Sequence, residues 1–146
     1  MGRRQYTTFL LDGDLFGIEI EKVQEVIRPQ DLTSVPLAPK VVEGLINLRG
    51  QIVTAIDLRR RLDLPPRPDD EMPMNVVLPS RSGPVSLLVD RVGEVVEVDD
   101  EAFENPPETL RGSARSMIRG AYKLAGSLLL VLNVERVLSV SEESAR

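Results

Sequence analysis

VVEGLINLRGQIVTAIDLRRRL, residues 41–62, is the stretch on which the fold turns, because a second version of it lies farther along the chain. MIRGAYKLAGSLLLVLNVERVL, residues 117–138, aligns with it in order. Gly44 falls on Gly120, Leu48 on Leu124, Gly50 on Gly126, Arg60 on Arg136 and Leu62 on Leu138. Asp57 falls on Asn133, and both are good N-caps for a short helix; in the first copy Leu58 and Leu62 would then share a face. Upstream, FGIEIEKVQEVI (16–27) matches VSLLVDRVGEVV (85–96), with Val23, Glu25 and Val26 meeting the identical Val92, Glu94 and Val95. Shared glycines, caps and leucines in one order read as a tandem duplication inside a single domain, 1–146. The units run from about 6 to 62 and from 74 to 138. A connection rich in proline and aspartate, 63–73, joins them, and the second copy carries an insertion near 108–117.

Each unit reads as β structure. YTTFLL (6–11) enters the turn DGD (12–14), where Gly13 can take positive φ, and LFGIEI (15–20) then alternates with Phe16, Ile18 and Ile20 on one face. Apolar strands flank Arg49-Gly50, and further strands follow at NVVLP, VSLLVD, EVVEV and SLLLVL. ETLRGSARSM (108–117) reads as a loop. Twisted sheets this small curl to protect their edges. The expectation is mainly β: two similar, small, five-stranded SH3-like β-barrels with short helical turns, packed side by side around a binding groove.

Composition narrows the function. The chain has 146 residues, no cysteine, no histidine and a formal charge of −5. Disulfides, thiolate sites and the commonest general base and metal ligand are therefore missing. The acidic balance and 3% aromatic content argue against nucleic-acid binding. No apolar run reaches the ~18–20 residues needed to cross a bilayer, so no direct membrane insertion is expected. Neither a signal-peptide core nor a cleavage site precedes the first strand, which reads as a cytoplasmic protein. No phosphate-binding glycine loop is present, and Asp69-Asp70 and Asp99-Asp100 read as solvated turns rather than acid–base pairs. No catalytic, cofactor-binding or metal-binding residue is expected. A small barrel enzyme using carboxylates with Tyr6 or Tyr122 is the remote alternative.

A duplication also supplies an internal control. Positions alike in both copies serve the fold, whereas positions that differ are free to serve function. Arg49 meets Ala125, so the turn does not require arginine. The guanidinium could still pair with a nearby carboxylate, but its five-donor fork suits a protein interface. Arg59-Arg60-Arg61 meets Glu135-Arg136-Val137 and reads as a solvated helix face.

These segments together resemble the CheW family of bacterial chemotaxis coupling proteins, from about Tyr6 to Leu138. The likeness rests on FGIEIEKVQEVI, SVPLAPKVVEGLINLRG, the QIV-AIDLRRRL continuation, LLVDRVGEVVEV and LLLVLNVERVL. The resemblance implies a non-catalytic scaffold of paired β-barrels, between which strands can exchange. It would couple the cytoplasmic tip of chemoreceptors (methyl-accepting chemotaxis proteins) to the regulatory domain of the histidine kinase CheA in two-component signalling, and it would meet other CheW-like domains in rings. It would be recruited through these partners to the receptor array. An adaptor of the same fold in a non-flagellar pathway, such as surface motility or biofilm formation, is the alternative. By position, the resemblance gives receptor binding to Arg49, Val23, Glu25, Gly44 and Val95. It gives kinase or ring contacts to Phe103, Glu104, Glu108 and Thr109, with Glu104 standing where a relative carries a basic residue.

Overall fold

In the computed structural model, which describes residues 2–139, the chain forms two curled sheets. β1 (Arg3–Leu11) and β2 (Asp14–Glu19) form a hairpin whose turn residues, Asp12 and Gly13, both take positive φ, 49° and 85°. That is the two-residue geometry that matches strand twist. β3 (Glu25–Ile27) follows a single 3-10 turn, and β4 (Val42–Leu48) and β5 (Gln51–Asp57) make a second hairpin. α1 (Leu58–Arg61) is capped by Asp57, whose side chain accepts from the Arg59 amide. The second half repeats this order with β6 (Met74–Leu78), β7 (Val85–Val89), a two-residue β8 (Arg91–Val92) and β9 (Val96–Asp99). α2 (Gly112–Met117), β10 (Ile118–Leu124), β11 (Ser127–Leu132) and α3 (Val134–Leu138) complete it. Asn133 caps α3 by accepting from the Arg136 amide. The segment 108–117, expected to be a loop, ends in α2.

The sheets are not built from the sequence halves. One runs β3-β6-β7-β5-β4, and the other runs β10-β11-β2-β1, with β8 and β9 both pairing against β1. The first hairpin of each half is thus inserted into the sheet of the other half. The junctions are the parallel pairs β5 with β7 and β11 with β2, together with the antiparallel pairs β3 with β6 and β1 with β8 and β9. The expected barrels appear as a five-stranded and a six-stranded sheet, each rolled up with its hydrogen-bonded ladder left open. A lone antiparallel bridge closes each roll: Thr33 with Leu45 in one and Glu104 with Ala121 in the other.

Central strands bury both faces, as their nearly continuous apolar runs require. In β6, Val76 and Leu78 face a core shared by the two sheets, while Val77 faces the inside of its own roll. In β7, Leu87 and Val89 likewise face the shared core and Leu88 the roll. Phe9, Leu11, Phe16 and Ile18 bring the exchanged hairpin into the shared core. The second roll is filled by Tyr6, Val98, Tyr122, Leu129 and Val131.

The arginines of α1 correct the sequence expectation. Arg60 is exposed, but Arg59 and Arg61 are only 6% and 8% accessible. Arg59 donates to both carboxylate oxygens of Asp90 and to the Pro65 and Pro66 carbonyls. Arg67 also donates to Asp90, at 2.9 Å, and the Asp12 amide donates to its second oxygen at 2.9 Å. One carboxylate therefore ties the β1–β2 turn, α1 and the proline-rich connection together. Arg61 donates to the Val137 and Arg136 carbonyls at the C-terminal end of α3, where the Arg136 carbonyl also accepts from the Ser139 amide and hydroxyl.

Burial pushes the Asp90 carboxyl up, but the hydrogen bonds from Arg59, the Asp12 amide and Arg67 outweigh it and hold it below its ordinary 3.8. Stability from this group is fully present above pH 3.8 and is lost as pH falls through the lower folded-state value. Asp90→Asn is expected to flatten the acid limb of a pH-dependent unfolding curve. Asp90→Ala, which strands Arg59 and Arg67, is expected to cost about 3–5 kcal/mol in urea unfolding at neutral pH.

Candidate protein-interaction site

Arg49 occupies the first central position of the β4–β5 turn, with φ at 52°, and Gly50 follows at 86°. A left-handed backbone is costly for a residue with a Cβ, and among the described non-glycine residues only Asp12, Leu37, Arg49 and Asp63 have positive φ. Asn47 supports the turn, its Oδ1 accepting from the Gly50 amide at 2.9 Å. Lys123 stands at the matching place in the β10–β11 hairpin, where Ala125 does not take positive φ. The Arg49 conformation is therefore particular to this copy.

The turn aims the guanidinium across the open seam of the roll. Arg49 Nη1 donates to Glu25 Oε1 at 3.1 Å, and Nη2 pairs with Oε2. β3 and β4 are the two edges of this sheet, so the fork joins edges that share no ladder. Hydrogen bonding from Arg49 holds the Glu25 carboxyl below the ordinary carboxylate range, against a smaller opposing effect of burial. The pair stays in water: the Arg49 side chain is 68% exposed and that of Glu25 is 24%. Such a pair adds little to folding and leaves most of the guanidinium free to meet a partner.

The other expected receptor residues divide. Gly44 is buried, and a methyl group there would lie 2.6 Å from the Thr33 carbonyl oxygen. Its role is to let the 28–41 loop reach the sheet, where Thr33 and Leu45 exchange amide hydrogen bonds of 2.9 and 2.8 Å. Val23 is half-buried and packs against the shared core just before β3. Val95 is 49% exposed and lies between β8 and β9, on the sheet opposite Arg49. Arg49 and Glu25 are thus brought into contact, while Gly44 and Val23 act from beneath the surface. Val26, the counterpart of Val95, is also exposed, at 36%, and the sequence did not single it out. The alignment of the two copies was the signal that could have found it.

The residues expected to contact the kinase or a ring neighbour lie on the other sheet or in the loop after it. Phe103 stacks edge-on against Tyr122 with ring centroids 5.2 Å apart, and Glu104 forms the closing bridge with Ala121. Lys123 Nζ is 3.7 Å from a Glu104 oxygen, so the acidic residue at 104 has a cation of its own. Glu108 and Thr109 are exposed. Tyr6 and Tyr122 meet through their hydroxyls at 3.4 Å in a buried pair. Burial, followed by that hydrogen bond, pushes the Tyr6 phenol far above its ordinary value and keeps it neutral. No group of three or more acidic or metal-ligating side chains able to hold a metal is found among the described residues. No helix among them is long and apolar enough to cross a membrane.

If the fork serves recognition rather than folding, Arg49→Ala should leave the melting temperature unchanged. A clear loss of thermal stability in a differential scanning calorimetry trace would make it a structural strut instead.

Comparison with known proteins gives one consistent result. The CheW-like domain family matches residues 5–142. The chemotaxis protein CheW of Treponema pallidum (strain Nichols) is 32% identical over 142 residues, covering 94% of this chain and 84% of that protein. The chemotaxis protein CheW of Klebsiella aerogenes is also 32% identical, covering 97% of this chain and 85% of its own. The crystal structure of the scaffolding protein TtCheW from Thermoanaerobacter tengcongensis superposes with a TM-score of 0.80 at 27% identity, covering 90% of each chain.

Proposed function

Because this chain belongs to the CheW family of non-catalytic chemotaxis scaffolds, we propose that it couples chemoreceptors to a CheA-type histidine kinase by binding both. The observation that carries the reading is the Arg49–Glu25 fork: a charged pair on a costly left-handed turn, present in one copy of the repeat and replaced by alanine in the other. In this reading Arg49, with Glu25 setting its direction, meets the helical tip of the receptor. Val23 and Gly44 fix the ground beneath that contact, and Val95 and Val26 offer apolar surface. Phe103, Glu104, Glu108 and Thr109 serve the kinase regulatory domain or a neighbouring CheW-like domain in a ring. The protein works in the cytoplasm and reaches the membrane-associated array through these partners. The common strand order of the two sheets supports an origin by duplication of units 6–62 and 74–138.

Coupling then needs no chemistry. Holding receptor and kinase on one body raises the concentration each experiences of the other, to the order of mM for short, well-matched links. A receptor shift biases the kinase only as far as the contacts differ between its two states.

Arg49→Glu is expected to weaken binding of a purified receptor tip by about tenfold or more, because it places like charge beside Glu25 and removes the fork. Binding of the kinase regulatory domain should be unaffected. Isothermal titration of each partner checks both arms, and an unchanged receptor affinity would remove Arg49 from the site.

A further inference from the structure

Gly120 is buried in β10, under the point where the loop after β9 meets the sheet. A methyl group on its Cα would lie 2.2 Å from Phe103 Cζ, 2.7 Å from Phe103 Cε2 and 2.5 Å from the Glu104 carbonyl oxygen. Carbon atoms in contact stand about 3.5–4.0 Å apart, so no residue with a side chain fits there without displacing the ring. The ring fills the hydrogen-only space of Gly120 and rests its edge against Tyr122, yet Phe103 remains 39% exposed. One side of it is clamped and the other is presented.

Beyond the ring, the loop is attached to the sheet by one bridge. The Glu104 amide donates to the Ala121 carbonyl at 2.8 Å, and the Ala121 amide donates back at 2.9 Å. Farther out, the loop is braced on itself and on α2: Leu110 donates to the Pro107 carbonyl at 3.1 Å and Arg115 donates to the same oxygen at 2.9 Å. The segment from Phe103 to Thr109 is thus attached to β10 at its start and held at its far end by Arg115 and by Leu110, which packs against the shared core. At the matching glycine of the other sheet, Gly44, the three nearest atoms all belong to the Thr33 backbone and none to a ring. The seat is a property of one sheet.

We infer that Gly120 is the positioning residue for the Phe103–Thr109 docking element, fixing the pose in which Phe103, Glu104, Glu108 and Thr109 meet the kinase regulatory domain or a neighbouring CheW-like domain. The inference rests on the reading of that loop as the kinase-side contact. A β-carbon at 120 lifts the ring, breaks the single bridge and leaves the loop to be reordered at each binding event, which lowers affinity without removing any contacting side chain.

The test compares full-length wild type, Phe103→Ala, Gly120→Ala and Gly44→Ala in titrations with the cognate kinase regulatory domain and, separately, the receptor tip. Amide hydrogen exchange is followed in the same proteins. Gly120→Ala is expected to speed exchange at Glu104 and Ala121 while the β11 amides keep their protection. It should weaken kinase binding about tenfold, as Phe103→Ala does, and leave receptor binding alone. Gly44→Ala should leave kinase binding alone. Normal kinase binding by Gly120→Ala, with Phe103→Ala impaired, overturns the positioning role and spares the contact assignment. Normal binding by Phe103→Ala overturns the assignment and the inference with it. Unchanged exchange at Glu104 and Ala121, or equal loss of both partners, also counts against the inference. Should Gly120→Ala not fold, Glu104→Pro removes the bridging amide from outside the sheet, and the same selective loss is expected.

Discussion

Two parallel strand pairs, β5 with β7 and β11 with β2, hold partners from opposite halves of the chain, and the antiparallel pairs β3 with β6 and β1 with β8 and β9 do the same. Neither half can complete a sheet alone, so the two rolls form together around one shared core. Exchange also places charged groups where the two sheets meet. The β1–β2 turn of one sheet arrives beside Asp90 at the end of β7 in the other, and Arg59 and Arg67 fill the space with donors. Buried guanidiniums are costly without full pairing. Here each is satisfied by a carboxylate together with the main-chain carbonyls beside it. The network helps fix how one sheet sits on the other.

In the proposed function, that fixed placement bears directly on coupling. Thr33 and Leu45 close the seam of one roll, with the Arg49–Glu25 fork spanning the same seam, and Glu104 and Ala121 close the seam of the other. In both, an edge that could recruit a foreign strand is covered by a loop, and a glycine makes the close approach feasible. The covers differ in what they show to solvent. One presents a guanidinium held by a carboxylate, and the other presents a phenyl ring with acidic neighbours. A common way of closing a sheet has thus been given two surface chemistries on one body.

Much of this was legible in the sequence. The Asp12-Gly13 turn, the Asp57 and Asn133 caps and the inward leucines follow from local chemistry that does not depend on which strands pair. The exchange of hairpins was not legible as a fact, because strand alternation is satisfied equally by a partner from either half. Burial of Arg59 and Arg61 was missed because arginine defaults to solvent. For Arg61 a signal existed: its counterpart is Val137, which is fully buried. Arg59 offered none, since its counterpart Glu135 is exposed. The helix at 112–117 begins with Gly112 at φ 63° and has no side-chain cap, so no start signal announced it. At the site, the internal repeat singled out Arg49 but could not name Glu25 as its partner, since the two lie far apart in the chain and meet across a seam only the curled sheet creates.

In the proposed function, the Arg49 receptor contact and the Phe103 kinase contact lie on different sheets of one body and are filled together. The most direct measurement is titration of the kinase regulatory domain into this protein already saturated with receptor tip, followed by sedimentation velocity. A ternary complex is expected, with the kinase binding at least as tightly as it binds the free protein. Displacement of the receptor tip as kinase is added would contradict it.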